Sequence, residues 1–116
     1  MQTTRRKMKT SKNGIKLIRT FEGVVNIRHL LKRIEDFINF NVQSQLNQNQ
    51  FDALACFIFD IGSEKFQKSA MLQFLNAGHF PLASGQFDLW ANGDGIDYVN
   101  SQERREAEKK LFLKPV

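Results

Sequence analysis

The segment between Phe51 and Ile61 constrains the fold most, because its residues are apolar on nearly every side. Asn47 and Gln50 stand before it at the spacing of a capping box, and Gly62 follows it as a typical helix-ending residue. A helix that is apolar all round has to run through the interior of a protein. We therefore predict a buried central helix over residues 48–61.

Amphipathic segments on both sides of this helix complete the pattern. Apolar residues recur at helical spacing from Ile15 to Phe21 and from Ile27 to Ile38, and similar runs continue towards the C-terminus. Asn100 has the spacing to Glu103 that can cap a last helix, and Pro115 follows the end of that helix. No segment shows the alternation of a strand. The chain is therefore predicted to be all-α, with about six helices in one domain and no substantial sheet.

The excess of positive charge lies at the N-terminus. Residues 1–12 hold basic side chains and no acid, whereas residues 13–116 hold equal numbers of basic and acidic side chains. We expect residues 1–9 to form a flexible basic tail that is dispensable for folding, and residues 10–116 to form the helical domain. Contact with an anionic surface is the alternative role for the basic residues, which are Arg5, Arg6, Lys7, Lys9 and Lys12.

The remaining composition excludes several classes of protein. The apolar runs are too short to cross a membrane and no secretory signal is visible, so we expect a cytoplasmic protein. The chain has only two histidines, His29 and His79, and one cysteine, Cys56, and their spacing fits no zinc site. Cys56 lies in the apolar central segment and is expected to be an inert core thiol. We expect no metal and no cofactor.

Five segments, in order along the chain, carry a resemblance to a known family. They are TSKNGIKLIRTFEG at 10–23, LNQNQFDALACFIFDIG at 46–62, FQKSAMLQFLNAG at 66–78, FDLW at 87–90 and RREAEKKLF at 104–112. In this series the chain resembles the phage-type lysozymes, or endolysins, which are muramidases of the glycoside hydrolase class. The resemblance implies a lysozyme-like helical body, peptidoglycan glycan strands as the partner, and lysis of the bacterial cell wall. Access to the wall from the cytoplasm would need release by other factors.

By this resemblance Glu22, in the Phe-Glu-Gly turn that closes the first segment, is the general acid. The family carries a small β-lobe directly after this glutamate, with a catalytic Asp nine positions on and a Thr six beyond it. Leu31 and Phe37 occupy those positions here, on the apolar stripe of a helix, and no Thr-x-Gly-x-Gly-His stretch exists. The resemblance therefore implies a lysozyme without its catalytic β-lobe. The alternative role of Glu22 is structural, as a helix-end carboxylate paired with Arg104 or Arg105.

Cleavage of a glycosidic bond needs two carboxyl groups, one to protonate the leaving oxygen and one to act as nucleophile or base. Only Glu22 is recognisable, so the favoured interpretation is a lysozyme-like protein with impaired or absent activity. One alternative is an active minimal muramidase that uses Glu22 and an unrecognised partner. The other is a non-catalytic interaction protein, binding through the basic tail or through an exposed former lobe interface around Val24, Val25 and Ile27.

The other acids have structural interpretations. Glu35 and Asp36 fall on the polar side of an amphipathic helix and are expected to be solvated. Asp52 lies in the first turn of the central helix, where the helix dipole favours an acid. Asp60 lies at the unfavourable end of that helix, which leaves a functional role open. If the protein is active, the partner role falls to one of four acids, Asp36, Asp60, Asp94 or Asp97.

Overall fold

The computed structural model describes residues 6–23 and 26–116 of the chain. Within these ranges it contains seven α-helices, one short 3-10 helix and no strand, which confirms the all-α prediction. The helices are α1 (Lys12–Glu22), α2 (Arg28–Asn41), α3 (Gln48–Ile61), α4 (Ser63–Gln67), α5 (Ala70–Asn76), α6 (Phe80–Gly85) and α7 (Ile96–Leu113), with the 3-10 helix at Gln86–Trp90.

The central helix is α3, as its apolar sequence predicts. The side chain of Asn47 caps the helix, and the side chain of Gln50 bonds back to the Asn47 backbone, which completes the capping box. Every residue from Phe51 to Ile58 is buried, and α1, α2, α4 and α7 pack around this helix. The core of the protein therefore forms on all sides of α3.

Helix α1 approaches α3 closely at Gly14. Ser11 caps α1, and its backbone N–H and hydroxyl both donate to the carboxylate of Asp52 in α3, the N–H at 2.9 Å. A Cβ atom on Gly14 would lie 2.6 Å from Cγ of Asp52 and 2.6 Å from Cγ2 of Thr10. The absence of a side chain at Gly14 therefore sets how closely α1 packs on α3.

Glu35 is buried, so the prediction that it lies on the solvated side of α2 is wrong. It shares a face with Leu31 and Ile38, which lie four residues before it and three after it. Its Oε2 accepts a hydrogen bond from the backbone N–H of Thr10 at 2.7 Å, so the burial is compensated. Asp36 is exposed, as predicted.

The end of the predicted basic tail is fixed on the helical body. The backbone of Met8 exchanges two hydrogen bonds with the side chain of Asn39, at 3.0 and 2.9 Å, and the Met8 side chain packs against the core. The carbonyl of Lys9 accepts a hydrogen bond from Gln48 at 2.7 Å. Residues 1–5 of the predicted tail lie outside the described residues. The body therefore begins at or before Met8, at least two residues earlier than predicted.

The C-terminal part differs from the prediction in its helix boundaries. The short helix α4 is not predicted, and α7 begins at Ile96 rather than at Asn100. Gly93 and Gly95 have positive φ values of 92° and 57°, and they turn the chain into the first turn of α7. Residues 92–100 are all exposed, so α7 starts outside the packed body. No helix in the described part of the chain has the length and apolar character to cross a membrane.

Candidate functional site

Glu22 is the last residue of α1, and Gly23 turns the chain immediately after it. Gly23 has a φ of 67°, and its N–H bonds to the carbonyl of Arg19 at 2.9 Å, which is a common left-handed helix ending. The Glu22 side chain is 25% exposed, and its Oε2 accepts a hydrogen bond from Nη1 of Arg104 in α7 at 2.5 Å. The structural pairing that the sequence left open, with Arg104 or Arg105, is therefore present and involves Arg104.

Arg104 is a buried contact point for three helices. Its Nε lies 3.1 Å from Oε2 of Glu108, and its Nη2 donates to the carbonyl of Cys56 in α3 at 2.9 Å. Its Cζ lies 5.5 Å from the centre of the Phe21 ring. With Glu22, these contacts engage all three nitrogens of the guanidinium group, and the position of Arg104 is fixed.

Glu108 connects this arginine to a second one. Nε of Arg105 lies 2.7 Å from Oε1 of Glu108, and Nη2 of Arg105 donates to Oε2 of Glu108 at 3.1 Å and to Asp60 at 2.9 Å. The Arg105 guanidinium also lies over the ring of Phe57, 4.9 Å from its centre. The resulting charge network joins α1, α3 and α7, and its members are Glu22, Arg104, Glu108, Arg105 and Asp60.

Burial sets the ionisation of the groups inside the charge network. Complete burial raises the pKa of Glu108, against the opposing effect of the two guanidinium groups. Burial also raises the pKa of the Cys56 thiol, which is therefore a protonated core group rather than a nucleophile. For Arg104 the cost of burial is outweighed by the nearby carboxylates of Glu22, Glu108 and Asp60, which raise its pKa. The ion pairs of the charge network therefore hold α1, α3 and α7 together.

The other acids that could have served as catalytic partners lie in different surroundings. Asp36 pairs with Lys32 on the exposed face of α2 at 2.7 Å, and this hydrogen bond lowers the pKa of Asp36. Asp94 and Asp97 lie in the exposed segment 92–100. In the described part of the chain, the side chains of these three acids form no hydrogen bond or ion pair with each other or with the charge network. Across residues 6–23 and 26–116, no group of three or more His, Cys, Asp or Glu side chains could hold a metal ion.

The positions at which the resemblance would place the remaining catalytic residues belong to the core. Leu31 is fully buried, and Phe37 packs edge to face against the Phe66 ring at 6.1 Å between centres. Ile27 is also buried, so the prediction of an exposed apolar patch is wrong for this residue, whose side chain packs into the core. Val24 and Val25, which were predicted to share that patch, lie outside the described residues.

The sequence contained a signal for the buried part of the charge network that was not used. Arg104, Glu108 and Phe112 are spaced by four residues each, and the structure places all three on the buried stripe of α7. A charged residue in register with a core phenylalanine indicates a buried ion pair. Asp60 is 45 positions away from Arg105, and spacing alone could not identify it.

The sequence of this chain is similar to those of known proteins. The family described as phage lysozyme matches residues 3–108. The endolysin of Bacillus phage PZA is 30% identical over 142 residues, covering 90% of this chain and 55% of that protein. The endolysin of Salmonella phage P22 is 41% identical over 83 residues, covering 72% of this chain and 56% of that protein. The chain thus spans about half the length of these relatives. Because the alignment with the PZA endolysin is longer than the 116 residues of this chain, that relative contains residues without a counterpart here.

Two solved structures have the same fold. The muramidase domain of SpmX from Asticaccaulis excentricus superposes with a TM-score of 0.85 at 29% identity, covering 92% of this chain and 99% of that one. A P22 lysozyme mutant superposes with a TM-score of 0.83 at 28% identity and the same coverage. Sequence and fold agree over nearly the whole chain, and they show that the protein belongs to the phage lysozyme family.

Proposed function

We propose that this chain is a lysozyme-like protein with little or no muramidase activity, which keeps the helical body of its family. The observation that carries the proposal is the ion pair between Glu22 and Arg104. In this pair Glu22 accepts a hydrogen bond at 2.5 Å. A general acid has to donate a proton to the leaving oxygen instead. The contacts of Glu22 are therefore those of a structural residue.

The surroundings of Glu22 support the same conclusion. Glu108, which shares Arg104 with Glu22, is completely buried and cannot reach a sugar. Asp60 is held by Arg105 at 2.9 Å. A second carboxylate with the freedom to act as nucleophile or base would have to come from outside this charge network. General-acid assistance alone is worth about 10²–10⁴-fold, far below the roughly 10⁶-fold or more of working enzymes.

The comparison with relatives also supports a missing catalytic lobe. The PZA endolysin has residues without a counterpart in this chain. Here the positions nine and fifteen residues after Glu22 are occupied by Leu31, which is buried, and Phe37, which packs on the core. The ligand of the helical body, by family, is the glycan strand of peptidoglycan. Binding is expected to be weaker than in an intact lysozyme because one wall of the sugar cleft is absent.

The test is the release of reducing sugar from purified peptidoglycan by the parent chain and by Glu22→Gln. Glu64→Gln is the matched control, because it removes the same charge from a side chain that is 86% exposed. We expect no release from any of the three proteins, with circular dichroism showing that each is folded. Release by the parent and by Glu64→Gln that is lost in Glu22→Gln would overturn the proposal in favour of an active minimal muramidase.

A stability measurement on the same variants gives an independent readout. If Glu22 is structural, Glu22→Gln should lower the free energy of unfolding by about 1–3 kcal/mol, because it weakens a charged hydrogen bond to a buried guanidinium. Glu64→Gln should change it by less than about 0.5 kcal/mol. A Glu22→Gln variant that is as stable as the parent, or more stable, would contradict the structural role.

A further inference from the structure

Basic side chains are concentrated in the N-terminal third of the chain, more strongly than the net charge of +5 suggests. Ten of the 17 basic side chains, but only one of the 12 acidic ones, precede Ile34. That single acid is Glu22, which already forms an ion pair with Arg104 in α7. The later part of the chain is correspondingly acidic in balance. Helix α1 and the first turns of α2 therefore form the basic side of the protein.

A groove runs along this basic side between α1 and the start of α2. Its volume is about 610 Å³, and no carboxylate lines it. The lining residues are Lys12, Ile15, Lys16, Arg19, Thr20 and Arg28. Four of the six carry a positive charge, and the isoleucine beneath them is buried. The groove thus presents cations around a recessed apolar floor.

Three of the four cations that line the groove form no ion pair in the described fold. Within the described residues no ion pair involves Lys12, Lys16 or Arg28, and residues 1–5 and 24–25 contain no acid that could supply one. Lys12 and Lys16 are four positions apart on one exposed face of α1, a spacing at which like charges destabilise a helix. An anion bound between them would relieve this repulsion.

The shape of the surface favours an extended ligand over a single small anion. A second groove, of about 320 Å³, lies on the other side of α1 and shares Lys16 and Thr20 with the first. Lys114, at the C-terminal end of the chain, lines this second groove. Together the two grooves make a basic path that crosses α1 from Arg28 to Lys114.

The lining also indicates what kind of strand fits. Neither groove contains an aromatic residue on which nucleic-acid bases could stack. Charged and polar side chains form the exposed rim of the grooves, and their apolar residues are buried or half-buried, whereas a bilayer-binding face needs a continuous exposed apolar surface. Lysine and arginine are the usual donors to phosphate oxygens. We propose that this basic path binds a linear phosphodiester polymer without aromatic bases, such as a polyol-phosphate chain.

This proposal stands apart from the question of muramidase activity and from the role expected for the N-terminal segment. Four of the five basic residues assigned to that segment are among the described residues, and of these four only Lys12 lines the large groove. The probe for the test is purified poly(glycerol phosphate), with binding measured by calorimetry in 50 and 200 mM salt. The parent should bind at low salt and lose roughly 10–50-fold in affinity at the higher salt, as expected for about four phosphate contacts.

A matched pair of variants separates a site from general charge attraction. Lys12→Gln with Lys16→Gln removes two charges from the groove, and Lys65→Gln with Lys68→Gln removes two exposed charges from the region of α4. The groove variant should bind about tenfold more weakly at 50 mM salt, and the control should stay within twofold of the parent. Both variants should have the parent's circular dichroism spectrum.

Three results would overturn the proposal. The first is equal loss of affinity in both variants, or no loss in either, which would mean that net charge or another surface binds the polymer. The second is absence of binding by the parent at 50 mM salt. The third is tighter binding of the parent to a single-stranded oligonucleotide or to phosphatidylglycerol vesicles than to the polyol phosphate, which would assign the surface to nucleic acid or membrane instead.

Discussion

Replacing Gly14 with alanine should disturb the whole placement of α1 on α3. The new methyl group would lie 2.6 Å from Cγ of Asp52 and 2.6 Å from Cγ2 of Thr10. Asp52 cannot move away cheaply, because it is fully buried and accepts hydrogen bonds from Ser11 and Gln48. Ordinary contacts of a Cβ atom begin at about 3.4 Å, so α1 has to shift outwards by most of an ångström.

The cost can be worked from these contacts. Forcing an extra methyl group into a packed site costs about 1–3 kcal/mol. Loss of the Ser11 hydrogen bonds to the Asp52 carboxylate adds to this cost, at about 1.5–3 kcal/mol for a bond to a charged group. The higher helix preference of alanine offsets about 0.5–1 kcal/mol. We therefore expect Gly14→Ala to lower the free energy of unfolding by about 2–5 kcal/mol.

Gly85→Ala is the control for this prediction. Gly85 has an ordinary helical φ of −66°, and an added Cβ would meet no atom within 4 Å. Its substitution should stabilise the protein by about 0.4–1 kcal/mol by restricting the unfolded chain. Urea unfolding of both variants measures the difference. Equal effects of the two substitutions, or a Gly14→Ala variant as stable as the parent, would refute the close-approach argument.

Three further predictions concern the interior of the protein. Glu108→Gln should cost about 3–5 kcal/mol in urea unfolding, because it leaves two buried guanidinium groups without their shared carboxylate; a loss below about 1 kcal/mol would count against the charge network as described. Phe57→Ala should cost about 3–5 kcal/mol, since the ring contacts Phe66 and Phe87 at 6.2 and 5.1 Å between centres, and a milder loss would mean that the core closes around the cavity. Cys56 should react with a thiol reagent only on unfolding, because it is buried and its pKa is raised; rapid labelling in native buffer would contradict that burial.

The helices that were predicted well are those whose signals are local. The capping box of Asn47 and Gln50, the apolar run that follows it and Gly62 all lie within one helix or next to it. A signal of the same short range begins α5, where the side chain of Ser69 accepts from the N–H of Leu72 at 3.3 Å. Hydrophobic periodicity and capping act over a few residues, so the sequence alone determines them.

The errors come from contacts between distant parts of the chain. The burial of Glu35 depends on the N–H of Thr10, which lies 25 positions earlier and is brought near only by the packing of the N-terminal segment. The α7 boundary was misplaced because the glycines in the NGDGID turn start the helix and Asn100 does not. For the candidate site, the pairing of Glu22 with Arg104 or Arg105 was one of two interpretations, and only the fold selects Arg104, which lies 82 positions away. The chemistry of binding surfaces, such as the grooves along α1, is not encoded in helix periodicity.

The first turns of α7 have a consequence for local motion. The residues from Ile96 to Asn100 are exposed, whereas Arg104, Glu108 and Phe112 of the same helix are buried. Gly95 precedes the helix without a side-chain cap, so no side chain protects the first N–H groups, and that of Asp97 bonds only to the carbonyl of Asp94 at 3.1 Å. These turns can therefore unwind and reform without disturbing the core. Amide hydrogen exchange should be fast before Ser101 and slow from Arg104 onwards, so that a single continuous helix behaves as two units of different local stability.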